Sequence, residues 1–250
     1  GLELLVHTGI CDIVLPEVSA LQDTVDEHRR HKDVYEHTLT VLQQAMDLET
    51  GPDGAVPGPD LRLRLAALMH DIGKPATRRF MPDGTVTFHA HDYVGARMTA
   101  KRMRALHFDK QTIKDVSRLV ELHLRFHGYA DSPWSDSAVR RYVTDAGPLL
   151  ARLGCLTRAD VTTGNRRKAA MLSHAYDDLE RRIEALRQQE ELASIRPELD
   201  GQEIMAELGI KPGPEVGKAY KFLLDLRMER GPIGKELARE ALHSWWATQQ

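Results

Sequence analysis

The chain has 250 residues, 42 % hydrophobic and 28 % charged, with a net charge of −3, enough apolar material for one large soluble domain or two smaller ones. No run approaches the roughly eighteen apolar residues of a membrane span, and no secretion signal opens the chain. Two cysteines, Cys11 and Cys155, exclude a disulfide scaffold and fit a reducing cytoplasmic setting, which leaves twelve histidines as the composition's odd feature.

Gly1 stands where a Met would, and Leu2 to Ile10 begins directly in an apolar helical pattern without a cap, so a cut end of a longer protein is expected. Helical period then predicts helices over 18–28, 34–49, 61–72, 93–106, 111–127, 136–145, 149–161, 167–194, 202–208, 215–230 and 235–246. Pro16, Pro148 and Pro214 lie near helix starts, and Gly128, Gly209 and Gly231 lie just beyond helix ends. Residues 51–60 form a Pro/Gly-rich loop, and 79–88 read as a hairpin turning at Asp83-Gly84. The expected fold is mainly α, a helical bundle with one small β-hairpin and a helical C-terminal subdomain. A break at 195–201, with Pro197 after a long charged helix, separates body from tail.

The histidines fall at particular places. Val34, His37, Val41 and Ala45 share spacings of three and four, which puts His37 on an apolar face. His70 and Asp71 end a helix whose other residues are nearly all apolar, where an uncompensated pair costs several kcal/mol. Ile113, Val116, Val120, His123 and His127 follow one stripe, and Leu149, Leu153, Leu156 and Asp160 another. Four helices therefore aim an imidazole or carboxylate into one interior, and His91, after the hairpin, can add another. A lone inward histidine is more often a satisfied core residue than a ligand. The coincidence of three stripes with the adjacent His70-Asp71 pair favours a metal.

The order His37, His70-Asp71 and Asp160, with Ile72-Gly73-Lys74 after the pair, resembles the HD superfamily of metal-dependent phosphohydrolases over roughly residues 33–164. The resemblance implies that His37, His70, Asp71 and Asp160 hold one divalent ion. It further implies that His91 and His123 serve a second ion, bridged by Asp71, with His89 and His127 as less well placed neighbours. One or two ions are expected, drawn from Mg, Mn, Ni, Co, Fe or Zn, since an N/O ligand set serves several. Asp71 and Lys74 become the catalytic candidates, Lys74 by holding phosphate. Without the motif, Lys74 is an ordinary solvated cation at a helix end.

Other stretches carry a second resemblance. Val14-Leu15-Pro16-Glu17, His31 to Leu39, Gly73-Lys74-Pro75-Ala76-Thr77-Arg78, Leu156 to Asn165 and Leu199 to Met205 are similar to the C-terminal half of bacterial CCA-adding tRNA nucleotidyltransferases and related poly(A) polymerases. The ending Ala241 to Trp246 looks most like the actinobacterial branch. That family implies an N-terminal polymerase head, and this chain lacks the Gly-Ser phosphate loop and paired aspartates of one. The expected division is connecting helices over 1–32, an HD phosphohydrolase domain over 33–195, and a helical tail with possible tRNA contact over 196–250.

Charge distribution bears on an RNA partner. From Arg62 to Arg104, nine Lys or Arg face three acids, a net +6 that leaves −9 for the rest of a −3 chain. A phosphate-tracking face produces such asymmetry, and so does a solvated helical surface. The candidates are Arg78, Arg79, Arg102, Arg140, Arg141 and Arg166. Three functions stay open. The site is a metal-dependent phosphohydrolase acting on phosphomonoesters or 2′,3′-cyclic phosphates in tRNA 3′-end processing, a tRNA-docking body with a structural or vestigial metal site, or a free-standing HD nucleotide phosphohydrolase.

Overall fold

The structure, a computed structural model, describes residues 1–22, 24, 33–132, 134–190 and 195–249. In chain order the elements are α1 (Leu2–His7), α2 (Ile10–Val14), α3 (Pro16–Ser19), α4 (Val34–Asp47), α5 (Leu61–Met69), α6 (Lys74–Thr77), β1 (Arg79–Phe80) and β2 (Val86–Thr87). There follow α7 (His91–Ala105), α8 (Lys110–Leu122), α9 (His127–Asp131), α10 (Asp136–Ala146), α11 (Leu150–Ala159), α12 (Arg166–Gln189), α13 (Gly201–Leu208), α14 (Pro214–Arg230) and α15 (Lys235–Ala247). The mainly helical class with one antiparallel hairpin is as expected. Among the described residues no helix is long and apolar enough to cross a membrane.

The chain divides into two compact units, one of 1–131 with 148–176 and one of 132–147 with 177–250. In the first, α4, α5, α8 and α11 pack on one another and α7 lies along α8. Periodicity drives this packing: Val34, Thr38, Val41 and Ala45 are buried on α4, and Ile113, Val116, Leu119 and Val120 on α8. Acidic caps start three of these helices. Asp33, Asp60 and Asp109 accept backbone N–H groups of α4, α5 and α8. The hairpin turns at Asp83-Gly84, where Gly84 has φ +80 and the Asp83 carboxylate accepts from the Thr85 N–H at 2.9 Å.

Two predicted elements differ. The helix expected over 18–28 is the short α3, ending at Ser19, and residues 25–32 lie outside the described set. The helix expected over 111–127 stops at Leu122, and a separate turn of helix begins at His127, so Gly128 sits inside α9 rather than beyond a helix end. Local spacing cannot show this stop, because the apolar stripe continues through Phe126, which is buried and stacks on Tyr176.

In the second unit, Leu199, Ile204, Ala219, Leu223, Ala238 and Leu242 form a core that Phe222 and Trp245 extend by stacking, with ring centroids 4.9 Å apart. Asp200 and Glu203 make a capping box at the start of α13, and Gly209 ends that helix in the left-handed region, φ +63. This unit takes residues 132–147 as well as the tail, since Arg140 on α10 donates to Glu190 and to the Met228 carbonyl.

Candidate metal centre

Six side chains from five places in the first unit converge. His37 projects from the second turn of α4, His70 is the residue that ends α5, and Asp71 follows it. His91 is the first residue of α7, His123 caps α8, and Asp160 caps α11. Helix ends therefore supply four of the six. There the backbone leaves its ladder, and a side chain can reach the interior without breaking a helical hydrogen bond.

The imidazoles share one design. The Nδ1–H of His70 donates to the Ala67 carbonyl at 2.9 Å, that of His91 to the Phe88 carbonyl at 2.9 Å, and that of His123 to the Val120 carbonyl at 2.6 Å. His37 Nδ1 meets the Thr162 hydroxyl at 3.0 Å. Each bond fixes the ring and turns Nε2 toward the others, the arrangement that outer-shell carbonyls impose on metal-binding histidines. The Nε2 atoms of His37 and His70 lie 3.2 Å apart.

The carboxylates complete two groups. His37 Nε2 is 3.0 Å and His70 Nε2 3.5 Å from Asp160 Oδ1, so these three donors face one point. Asp71, His91 and His123 form the second cluster of donors. Asp71 turns Oδ2 toward His37 and His70, at 3.4 and 3.2 Å, and Oδ1 toward His91 Nε2 at 3.3 Å, so its two oxygens face both groups. Lys74 Nζ lies 2.8 Å from Asp71 Oδ2 and sits over the Phe88 ring.

Electrostatics explain what such a cluster requires. Burial works against the Asp71 and Asp160 carboxylates, yet neighbouring imidazoles, with Lys74 at Asp71, hold both well below the usual carboxylate range. Burial also opposes charge on His70, but Asp71 and Asp160 outweigh it and push its pKa up to about 10. His123, buried and beside His70, is driven down to about 4. Two carboxylates thus gather positive charge. The residues fit a divalent cation on a further count: the buried Nε2 of His123 has no hydrogen-bond partner and that of His91 makes no well-aligned hydrogen bond, although both point into the cluster.

Gly73 and Thr162 lie in stretches that carry the resemblances, but their roles at the site are visible only in the structure. A Cβ on Gly73 would stand 2.2 Å from the His91 carbonyl oxygen and 2.7 Å from the Gly95 nitrogen, so a side chain there would push α7 off the His70-Asp71 turn. His127, on the predicted stripe, is more than half exposed and 4.0 Å from Asp160 Oδ2, because the helix break at Leu122 turns it outward. His89 is exposed.

The expected RNA contacts separate. Arg140 does not face solvent: its guanidinium is buried against Glu190 and the Met228 carbonyl, away from where a phosphate could reach it. Arg102 is likewise engaged, in a two-bond pair with Glu17 at 2.8 and 3.0 Å. Arg141 pairs with Glu229 at the surface. Arg78, Arg79 and Arg166 are exposed.

Comparison with known proteins gives the chain a family. Residues 34–165 match the HD domain family. A CC-adding tRNA nucleotidyltransferase of Thermus thermophilus is 36 % identical over 249 residues, covering 98 % of this chain and 52 % of that protein. An A-adding tRNA nucleotidyltransferase of Deinococcus radiodurans is 33 % identical over 252 residues, covering 100 % of this chain and 55 % of that protein. A Multifunctional CCA protein of Neisseria gonorrhoeae is 30 % identical over 128 residues, which is 50 % of this chain and 28 % of that protein. The chain spans about half the length of the first two relatives. Six converging ligand-type side chains and a family match across the segment that holds them lead to one assignment: the chain belongs to the HD domain family and is homologous to tRNA nucleotidyltransferases.

Proposed function

We propose that the centre is a divalent-metal phosphohydrolase site within a tRNA nucleotidyltransferase, acting on phosphomonoester or 2′,3′-cyclic phosphate ends of tRNA. The observation that carries the reading is the common orientation of four imidazoles, each tied through Nδ1 and presenting Nε2 to two carboxylates. His37, His70 and Asp160 would hold one ion and Asp71, His91 and His123 a second, with Asp71 shared. A bound divalent cation supplies Lewis acidity, making water acidic near neutral pH and offsetting negative charge on phosphoryl oxygens.

The protein's own groups do the rest. The carbonyls of Ala67, Phe88 and Val120 each take the Nδ1–H of a ring, so Nε2 is the nitrogen each ring would offer to an ion. Lys74, the cation beside Asp71, binds and orients a phosphate oxygen, and Phe88 confines its ammonium group from one side. Relatives named for adding CC or A to tRNA support tRNA as the partner, and the exposed Arg78, Arg79 and Arg166 are retained as phosphate contacts together with the tail over 196–250.

The test is turnover of a nitrophenyl phosphate and of a 2′,3′-cyclic nucleotide by the purified chain, with Mn or Ni supplied. Metal-dependent hydrolysis is expected, and Asp71→Ala is expected to lower it by at least a hundredfold while the circular dichroism spectrum stays helical. Absence of both bound metal and turnover in the wild type, with tRNA binding intact, would replace this reading by a docking body.

A further inference from the structure

The exposed face of α7 lies within the basic stretch from Arg62 to Arg104, but none of the roles above names the residues that form it. Tyr93, Arg97, Lys101 and Arg104 recur at spacings of four, four and three, which at about 100° per residue places them within roughly 80° of one another. All four are exposed, Tyr93 to 56 %, while His91, Gly95, Thr99 and Met103 occupy the opposite, buried face. The stripe extends along about 16 Å of helix axis and starts two residues from His91, the α7 residue in the metal centre.

Several other arginines of this unit are neutralised, although among the described residues the exposed Arg166 and Arg167 are not. Arg62, Arg64, Arg118 and Arg152 each meet a carboxylate, at 3.2, 2.7, 2.9 and 2.7 Å. Arg97, Lys101 and Arg104 meet none among the described residues, and neither does Arg79 on the hairpin. The hairpin runs into α7 through Phe88 and carries a second exposed aromatic residue, Phe80, at 73 %. The Arg78 guanidinium lies over the Phe80 ring, 5.5 Å from its centroid. Large exposed aromatic faces interleaved with unneutralised cations are what a single strand needs, since bases stack on the rings while cations follow the phosphates. A duplex has no free base faces for Tyr93 or Phe80 to take up.

We propose that the outer face of α7, with the hairpin beside it in sequence, is a binding track for single-stranded RNA whose end is presented to the metal centre at the N-terminus of α7. Tyr93 is the stacking platform nearest the centre, and Arg97, Lys101 and Arg104 contact successive phosphates. What the strand's end meets rests on the phosphohydrolase reading, whereas the track itself does not.

The experiment is fluorescence anisotropy with a short labelled oligoribonucleotide carrying a plain 3′-hydroxyl, titrated with the full chain over a series of salt concentrations. Tyr93→Ala is expected to raise Kd about tenfold, within the range measured for loss of one base stack. Combined Arg97→Ser, Lys101→Ser and Arg104→Ser is expected to flatten the salt dependence by about 2 in log–log slope, from roughly 0.7 per phosphate contact. Arg181→Ser, on α12 and paired with Asp178, is expected to change neither. The track is overturned if the α7 variants bind like the wild type, if Arg181→Ser weakens binding as much, or if duplex RNA binds more tightly than the single strand. Failure of wild-type phosphoester turnover with these shifts present would remove the hydrolase and keep the track.

Discussion

Gly73 shows how a single missing methyl group can set the distance between two groups of ligand-type side chains. Its amide segment lies so close to α7 that an added Cβ would meet the His91 carbonyl at 2.2 Å, and both atoms belong to backbone that cannot rotate away. Gly73→Ala is expected to separate Asp71 from His91 and His123, reducing bound metal as read by elemental analysis and lowering the melting temperature by several degrees, as overpacking costs of about 1–3 kcal/mol imply. Unchanged stoichiometry and melting would show that the turn can shift without loss. At this scale the six ligand-type residues were legible because apolar stripes and an adjacent His-Asp pair have sequence signatures. The Ala67, Phe88 and Val120 carbonyls that orient the rings were not, since a backbone acceptor leaves no mark on residue type. Arg140 was misassigned for a related reason. Its charge is visible in sequence, but its partner Glu190 lies fifty positions away and becomes a partner only by packing.

The helices themselves were largely legible, as were the ends marked by Pro214, Gly209 and Gly231, but the end of α8 was not. The stripe through Ile113 to Val120 defines α8, but the chain leaves the helix at His123, which turns that ring inward and His127 outward. The caps tell a similar story on α5. Asp60 accepts the Leu63 N–H at 2.8 Å and also holds Arg152 of α11, while Glu49 beyond α4 makes a two-bond pair with Arg64 of α5. Burial pushes the Asp60 carboxyl up, but Arg152 and the Leu63 amide hold it below its ordinary value, and the Arg64 hydrogen bonds hold Glu49 below its own. Because both folded values are depressed, the stability these groups provide is complete above the ordinary carboxylate range and disappears as pH falls through the lower folded values. Asp60→Asn keeps a capping oxygen and loses the ion pair, so a destabilisation of about 2 kcal/mol is expected at neutral pH. Urea unfolding of variant and wild type should converge as the solution is acidified below about pH 3, near and below the carboxylate values. A difference that persists unchanged into acid would assign the effect to the cap rather than to the pair.

On the scale of the whole molecule, the break at Pro197 pointed to a tail, whereas the second compact unit also draws in residues 132–147 through contacts of Arg140 that span long sequence separations. The first unit poses a different question, namely what holds four helix ends around buried charge. Asp71, His70 and His123 are almost fully buried, and two of the inward Nε2 atoms lack a well-aligned hydrogen bond, so the cluster without an ion carries groups whose desolvation is incompletely compensated. A cation that binds only the folded arrangement stabilises it by mass action, about 2.7 kcal/mol at a hundred times its Kd. For a chain of this size that corresponds to a rise of about 5–10 °C in melting temperature. Mn or Ni added to chelator-treated protein is therefore expected to raise the transition by this amount and EDTA to reverse it. Asp71→Ala, which removes the carboxylate facing both donor groups, is expected to lose most of the shift, and His127→Ala, at the exposed margin, to keep it. A wild type whose melting ignores metal would mean that the convergence of these side chains serves packing alone.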